Sequence, residues 1–280
     1  MHILLCTDGT PISAPPVAFG SRLAILLQAQ VTVLEAAARP DREPGVSHPT
    51  TDRCASLIAA GLGCQTIVRP GIPRQAIINL AVQEPYDLVV IGLLRRGNWL
   101  RRWLRGPSTR RVLQRVIAPV LVVPSDRPVL RRILLCSGDL WYPAETIQLV
   151  GQIAHAAGAE VTLLYVIPQP LLHYPILREI EDAWGALLQT DTLQGRNLKA
   201  GRDTLLDLGV ETGISLRHGP VVEQIMAEIR EGEYDLVALG STYAARSLHR
   251  YFVRSITDLV VEQAGRPVLV VRHLGKPDYR

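Results

Sequence analysis

The chain has 280 residues, 48% hydrophobic and 20% charged, with a net charge of +4. That length suits two domains of about 140 residues. The apolar share excludes a disordered chain, and ordinary Gly and Pro contents exclude collagen-like and low-complexity classes. The charge is too mild to imply a nucleic-acid partner, and no apolar run approaches the roughly 18 residues of a membrane helix. The opening MHILLCTDGT has neither a basic region nor a long apolar core, so no secretory leader is expected. Four cysteines without a CxxC then read as free thiols, used as small buried side chains in a reducing, cytoplasmic compartment.

Strand and helix patterns alternate from the start. A strand is predicted at 2–7, a helix at 12–28, a strand at 30–37 and a Pro-rich loop at 38–50. A short helix near 51–61 leads to a strand at 64–68 and a helix at 72–83. DLVVIG (87–92) is an apolar strand ending at a glycine, followed by a helix at about 107–117 and PVLVV at 119–123. Short β-branched runs separated by helices indicate a parallel sheet covered on both faces. Residues 125–130 form a linker, and the pattern then repeats with strands at 132–137, 159–167, 210–217, 235–240 and 267–272. The linker is short, so the two domains are expected to pack together.

The repetition is literal. Residues 2–34 match 132–164 at ten of 33 positions, and 69–123 match 217–271 at 17 of 55, both without gaps. Tyr86-Asp87-Leu88-Val89 returns as Tyr234-Asp235-Leu236-Val237, and Pro119–Val123 as Pro267–Val271. The offset grows from 130 to 148, so the second copy carries 18 extra residues, expected as added turns in a long helix over 176–208. The organisation read from this is a first domain at 1–124 and a second at 131–280.

In a doubly wound sheet, ligands bind at the carboxyl ends of the strands where strand order reverses. After the first strand comes Thr7-Asp8-Gly9-Thr10, whose carboxylate can accept from an adenine amine or a ribose hydroxyl, or can cap the next helix. After the fourth comes Gly92-Leu93-Leu94-Arg95-Arg96-Gly97. Further on, Gly106-Pro107-Ser108-Thr109 opens a helix whose N–H groups favour an anion. Seven arginines lie between 95 and 111, which suits phosphate equally well as a solvated basic loop. No GK[ST] follows the glycines, so this is not a Walker A loop. Trp99 and Trp103 are four apart and read as packing residues.

The Asp after the first strand, YDLVVIG, the glycine loop, the Gly/Ser/Thr helix start and the closing PVLVV together resemble the universal stress protein domain, twice in tandem. The resemblance implies a five-stranded doubly wound parallel α/β fold of the adenine-nucleotide alpha-hydrolase type in each copy. It also implies a stress-response regulatory role, with ATP or a related adenine nucleotide, accompanied by Mg, held in the first copy. The family's nucleotide-binding pattern is G-x2-G-x9-G-[ST] with the Asp. By position Asp8 matches that Asp, Gly92 the first glycine and Gly106 the third. The second glycine falls on Arg95, with Gly97 two residues on, the loop is one residue longer, and Pro107 precedes Ser108 and Thr109. The second copy departs further: Gly138 replaces the Asp, with Asp139 beside it, while Tyr243 and Arg254 replace two glycines.

The resemblance further implies a homodimer and an intramolecular pairing of the two copies through the strands at 119–123 and 267–271. Two alternatives stand beside nucleotide binding: a nucleotide-free interaction protein of the same family, and an anion or nucleic-acid binder using the loop at 95–111. Beyond weak nucleotide hydrolysis no enzyme is expected. The seven histidines show no metal spacing, and no G-x-S-x-G elbow occurs. His155 is read as packed or solvent-facing, Glu223 and Glu228 as a solvated helix face, and 274–280 as a frayed tail.

Overall fold

The computed structural model describes residues 1–9, 13–37, 49–92, 108–136, 144–167, 193–242 and 255–273. It divides into two compact units, Met1–Pro128 and Val129–Arg280. The first comprises β1 (His2–Thr7), α1 (Ala14–Leu26), β2 (Gln30–Ala37), α2 (Pro49–Ala59), β3 (Cys64–Pro70), α3 (Pro73–Gln83), β4 (Leu88–Gly92), α4 (Ser108–Arg115) and β5 (Val120–Val123). Its strands run in the order β3-β2-β1-β4-β5, and each neighbouring pair is parallel. The second unit comprises β6 (Arg132–Cys136), α5 (Ala144–Ala157), β7 (Glu160–Ile167), α6 (Leu193–Asp207), β8 (Thr212–His218), α7 (Val221–Glu231), β9 (Leu236–Thr242), α8 (Ile256–Gln263) and β10 (Val268–His273). Its order is β10-β9-β6-β7-β8, again parallel throughout. The doubly wound five-stranded sheet expected from the sequence is therefore present in both units.

The central strands explain their own composition. Leu88–Ile91 and Val120–Val123 are buried because helices cover both faces, so they read as unbroken apolar runs. Helix α1 begins with prolines in its first turn, where a missing N–H costs nothing. It then presses closely on the sheet: a Cβ added at Gly20 would lie 2.5 Å from Leu5 Cδ2 and 3.2 Å from Val90 Cγ1.

The repeated Tyr-Asp pair has a structural cause at the amino ends of the strands. The Asp87 carboxylate accepts from the His2 N–H at 2.7 Å, and the Asp87 N–H donates to the His2 carbonyl at 2.9 Å. In the second unit Asp235 accepts from the N–H groups of Arg131 and Arg132 at 2.8 and 3.1 Å and donates to the Arg132 carbonyl at 2.9 Å. Each aspartate thus ties the start of a fourth strand to the start of the first. The tyrosines flank the same corner. Tyr86 lies 4.6 Å from the His2 ring, centroid to centroid, and the Arg132 guanidinium sits 5.2 Å from the Tyr234 ring centre. Burial, and then a hydrogen bond donated to Glu84, push the Tyr86 hydroxyl up to about 12.

Two expectations are corrected. Cys54 and Cys64 are not free thiols but a disulfide, with Cα atoms 5.5 Å apart. Helix α2 folds back over β3, so its sheet-facing Cys54 lands on the first residue of that strand. Only Cys6 and Cys136 are free, and both are buried. Glu228 does not belong to a solvated face: it is 7% exposed, although Glu223 is exposed as expected. Glu228 accepts from Tyr234 Oη at 2.7 Å, Arg217 Nε at 2.5 Å and Ser215 Oγ at 2.9 Å, while Arg217 also pairs with Glu231. Burial would raise its carboxyl, but the hydrogen bonds from Tyr234, Arg217 and Ser215 hold it below the usual glutamate range.

His155 is exposed on α5. Of the long helix expected over 176–208, α6 supplies Leu193–Asp207, and 176–192 lie outside the described residues. Trp99, Trp103 and the tail also lie outside them. Among the described residues no helix is long and apolar enough to cross a membrane.

Candidate functional site at the carboxyl ends of β1 and β4

The chain leaves β1 towards β2 and returns on the opposite side as β4, so strand order reverses between β1 and β4. Their register pairs Leu5 with Val90, and two further steps bring Thr7 alongside Gly92. The sequence-predicted residues Thr7, Asp8 and Gly92 therefore meet at the switch point, where such sheets take ligands.

The turn after β1 is built by Thr7. Its hydroxyl oxygen lies 2.6 Å from Ser13 Oγ and accepts from the Gly9 N–H at 3.0 Å. Gly9 adopts φ 72°, which suits glycine and turns the chain sharply. Thr7 is buried and spent on this turn, whereas Asp8 beside it is exposed. Gly92 has a packing role as well: a Cβ there would lie 3.2 Å from Pro16 Cγ.

On the far side of β4, α4 starts at Ser108 with no acidic residue in its first turn. Thr109 is buried and Arg110 half-buried. A helix start without an acidic residue in its first turn, and with Arg110 in that turn, favours an anion. Arg95, Gly97 and Gly106 lie outside the described residues.

Sequence reasoning missed Glu35. It is 2% exposed near the carboxyl end of β2, paired in register with Thr7 and on the α1 side of the sheet. Its signal was an acidic residue inside the apolar run QVTVLEAA.

The second unit differs where α4 corresponds to α8. Ser255 caps α8 and forms a reciprocal capping box with Asp258, so this helix start already carries its own carboxylate. At the 148-residue offset, Asp258 stands where Arg110 stands in the first unit. Gly240 remains at the matching position on β9, while Gly138, Asp139, Tyr243 and Arg254 lie outside the described residues.

Each unit is thus a doubly wound five-stranded parallel α/β domain, and the first carries an acidic turn at its switch point. The profile of the universal stress protein family matches residues 1–124 and 130–272, and the chain belongs to that family. No curated protein matches it. Among solved structures, a universal stress protein from Archaeoglobus fulgidus DSM 4304 is 18% identical, covering 97% of this chain and 96% of its own, with a TM-score of 0.64. A functionally unknown protein from Pseudomonas aeruginosa PAO1 is also 18% identical, covering 97% of this chain and 92% of its own, with a TM-score of 0.69. A universal stress protein from Archaeoglobus fulgidus in complex with dAMP is 15% identical, covering 51% of this chain and 98% of its own, with a TM-score of 0.37.

Proposed function

We propose that this chain is a regulatory protein that binds an adenine nucleotide, ATP in the first instance, in its first unit and leaves the second unit empty. The observation that carries this is the contrast between the two helix starts. The first turn of α4 carries no acidic residue, whereas α8 holds the Asp258 carboxylate at the same place. An anion is favoured at the first and repelled at the second.

The donor set suits the ligand's two halves. Asp8 is an exposed acceptor for an adenine amine or ribose hydroxyl, and the start of α4 with Arg110 faces the phosphates. Arg95, Gly97, Gly106, Ser108 and Thr109 complete the proposed set. Among the described residues no group of three or more His, Cys, Asp or Glu side chains gathers, so Mg would come with the phosphates. The bound nucleotide supplies a signal of adenylate status, and the chain's own residues bind and orient it.

Calorimetric titration with ATP and Mg tests this. Asp8→Ala should weaken binding by about tenfold or more, the worth of a lost charge-assisted hydrogen bond. Asp139→Ala should leave it unchanged. The reverse order would overturn the assignment, and no binding by the wild type would favour the nucleotide-free interaction role.

A further inference from the structure

We propose that Cys54 and Cys64 form a redox-active pair that exchanges with low-molecular-weight disulfides and so fastens or frees α2 over the edge strand β3. The site is independent of nucleotide binding.

Among the described side chains of α2 only Cys54 and Leu57 are buried, while Ala55, Ser56, Ile58 and Ala59 are exposed. The strand beneath is an edge that pairs only with β2, and five of its seven residues are exposed. The second unit holds its counterpart differently. Leu205, the match of Leu57, is fully buried together with Leu198, and Leu208 reaches the position of a Cβ on Gly151. Ala60 stands where Leu208 would be, and Thr212 stands in place of Cys64, so the second unit uses leucines where the first uses a cystine.

The two cysteines differ in exposure, which orders the chemistry. Cys64 is half-buried on the exposed edge, whereas Cys54 is 7% exposed. The Cys64 thiolate attacks one sulfur of a small disulfide such as oxidised glutathione, releasing one glutathione thiolate and leaving a mixed disulfide. The Cys54 thiolate then attacks the Cys64 sulfur and releases the second. The pair gives up two electrons and two protons, and oxidised glutathione becomes two thiols. Dithiothreitol reverses both steps. The other cysteines stay out of this exchange: Cys6 and Cys136 are 5% and 3% exposed, and burial pushes both thiols up, away from the reactive thiolate.

The full-length protein is treated with oxidised glutathione or with dithiothreitol, then denatured and alkylated with iodoacetamide. Alkylation of Cys6 and Cys136 alone after oxidation, and of all four cysteines after reduction, is expected; four after oxidation overturns the proposal. Hydrogen exchange on the folded protein then reads the mechanical effect. Amides across 49–63 should exchange about tenfold faster in the reduced form, while 2–7 and 88–92 stay unchanged. Equal exchange in both forms, or acceleration spread over the whole unit, overturns it. The Cys54→Ser/Cys64→Ser variant should match the reduced wild type under both conditions, and a match to the oxidised form also overturns it.

Discussion

Ser255 and Asp258 satisfy each other across the first turn of α8: the Asp258 N–H donates to Ser255 Oγ at 3.1 Å, and the Ser255 N–H donates to the Asp258 carboxylate at 3.4 Å. This box fills with protein groups the place that, in the proposed function, the first unit leaves to a ligand. Ser255→Ala should lower the stability of the second unit by about 1 kcal/mol, read from its urea midpoint. It should not create an ATP site, because the Asp258 charge remains. ATP binding gained by this variant in an Asp8→Ala background would count against the blocking role.

Glu228 gives a pH dependence. Its carboxyl sits below the usual range in the folded protein, so the ionised form favours folding. That contribution is complete above the unfolded glutamate value of about 4.3 and disappears as the pH falls through the lower folded value. Glu228→Ala should cost about 2–3 kcal/mol at neutral pH, since Arg217, Ser215 and Tyr234 lose their acceptor. The stability gap between wild type and variant should hold from neutrality to mildly acid pH and narrow below about 4.3. A gap that ignores pH would assign the loss to packing instead.

Gly20 sets two effects against each other. Alanine in a helix gains up to about 1 kcal/mol over glycine. The new methyl meets Leu5 Cδ2 at 2.5 Å in a core strand, and overpacking there costs about 1–3 kcal/mol. Gly20→Ala should therefore destabilise the protein, and Leu5→Val in the same chain should recover part of the loss by removing the obstructing atom. A stabilised single variant would mean that α1 shifts freely.

Arg95 decides between the two roles that the altered glycine loop permits. Where Arg95 contacts phosphate, Arg95→Gly weakens ATP binding by about tenfold or more, in line with a charge-assisted hydrogen bond. Where the side chain fills the site, the same variant tightens or creates binding. The nucleotide-binding proposal expects weakening, and one titration gives the sign.

The fold was legible because its signals are local. Apolar runs such as Leu88–Ile91 mark strands, and a duplicated Tyr-Asp-Leu-Val marks the same element twice. Part of the candidate site was legible for the same reason: Asp8 and Gly92 follow directly from strand ends. What escaped depends on contacts between elements distant in sequence or spaced without a motif. Cys54 and Cys64 are ten residues apart and meet only because α2 folds back on β3. Glu228 looks solvated on its own helix until β8 brings Ser215 and Arg217 beneath it. Glu35 and Thr7 become neighbours only through the register of β1 with β2. The function of Ser255 as a cap was hidden because the alignment places it opposite a proline.

The aspartates that close the openings of β4 and β9 bear on how relatives of this chain are recognised. Asp87 and Asp235 grip main-chain atoms at the edge of the sheet opposite the crevice, so they serve any copy of this architecture whatever its cargo. The Tyr-Asp pair therefore marks the architecture and not a ligand. In the proposed function, the ligand is set instead by the acidic turn after the first strand and the charge at the third position of the last helix. Those positions can be rewritten, in a laboratory or by drift, while the clasp on the other edge keeps the sheet in register.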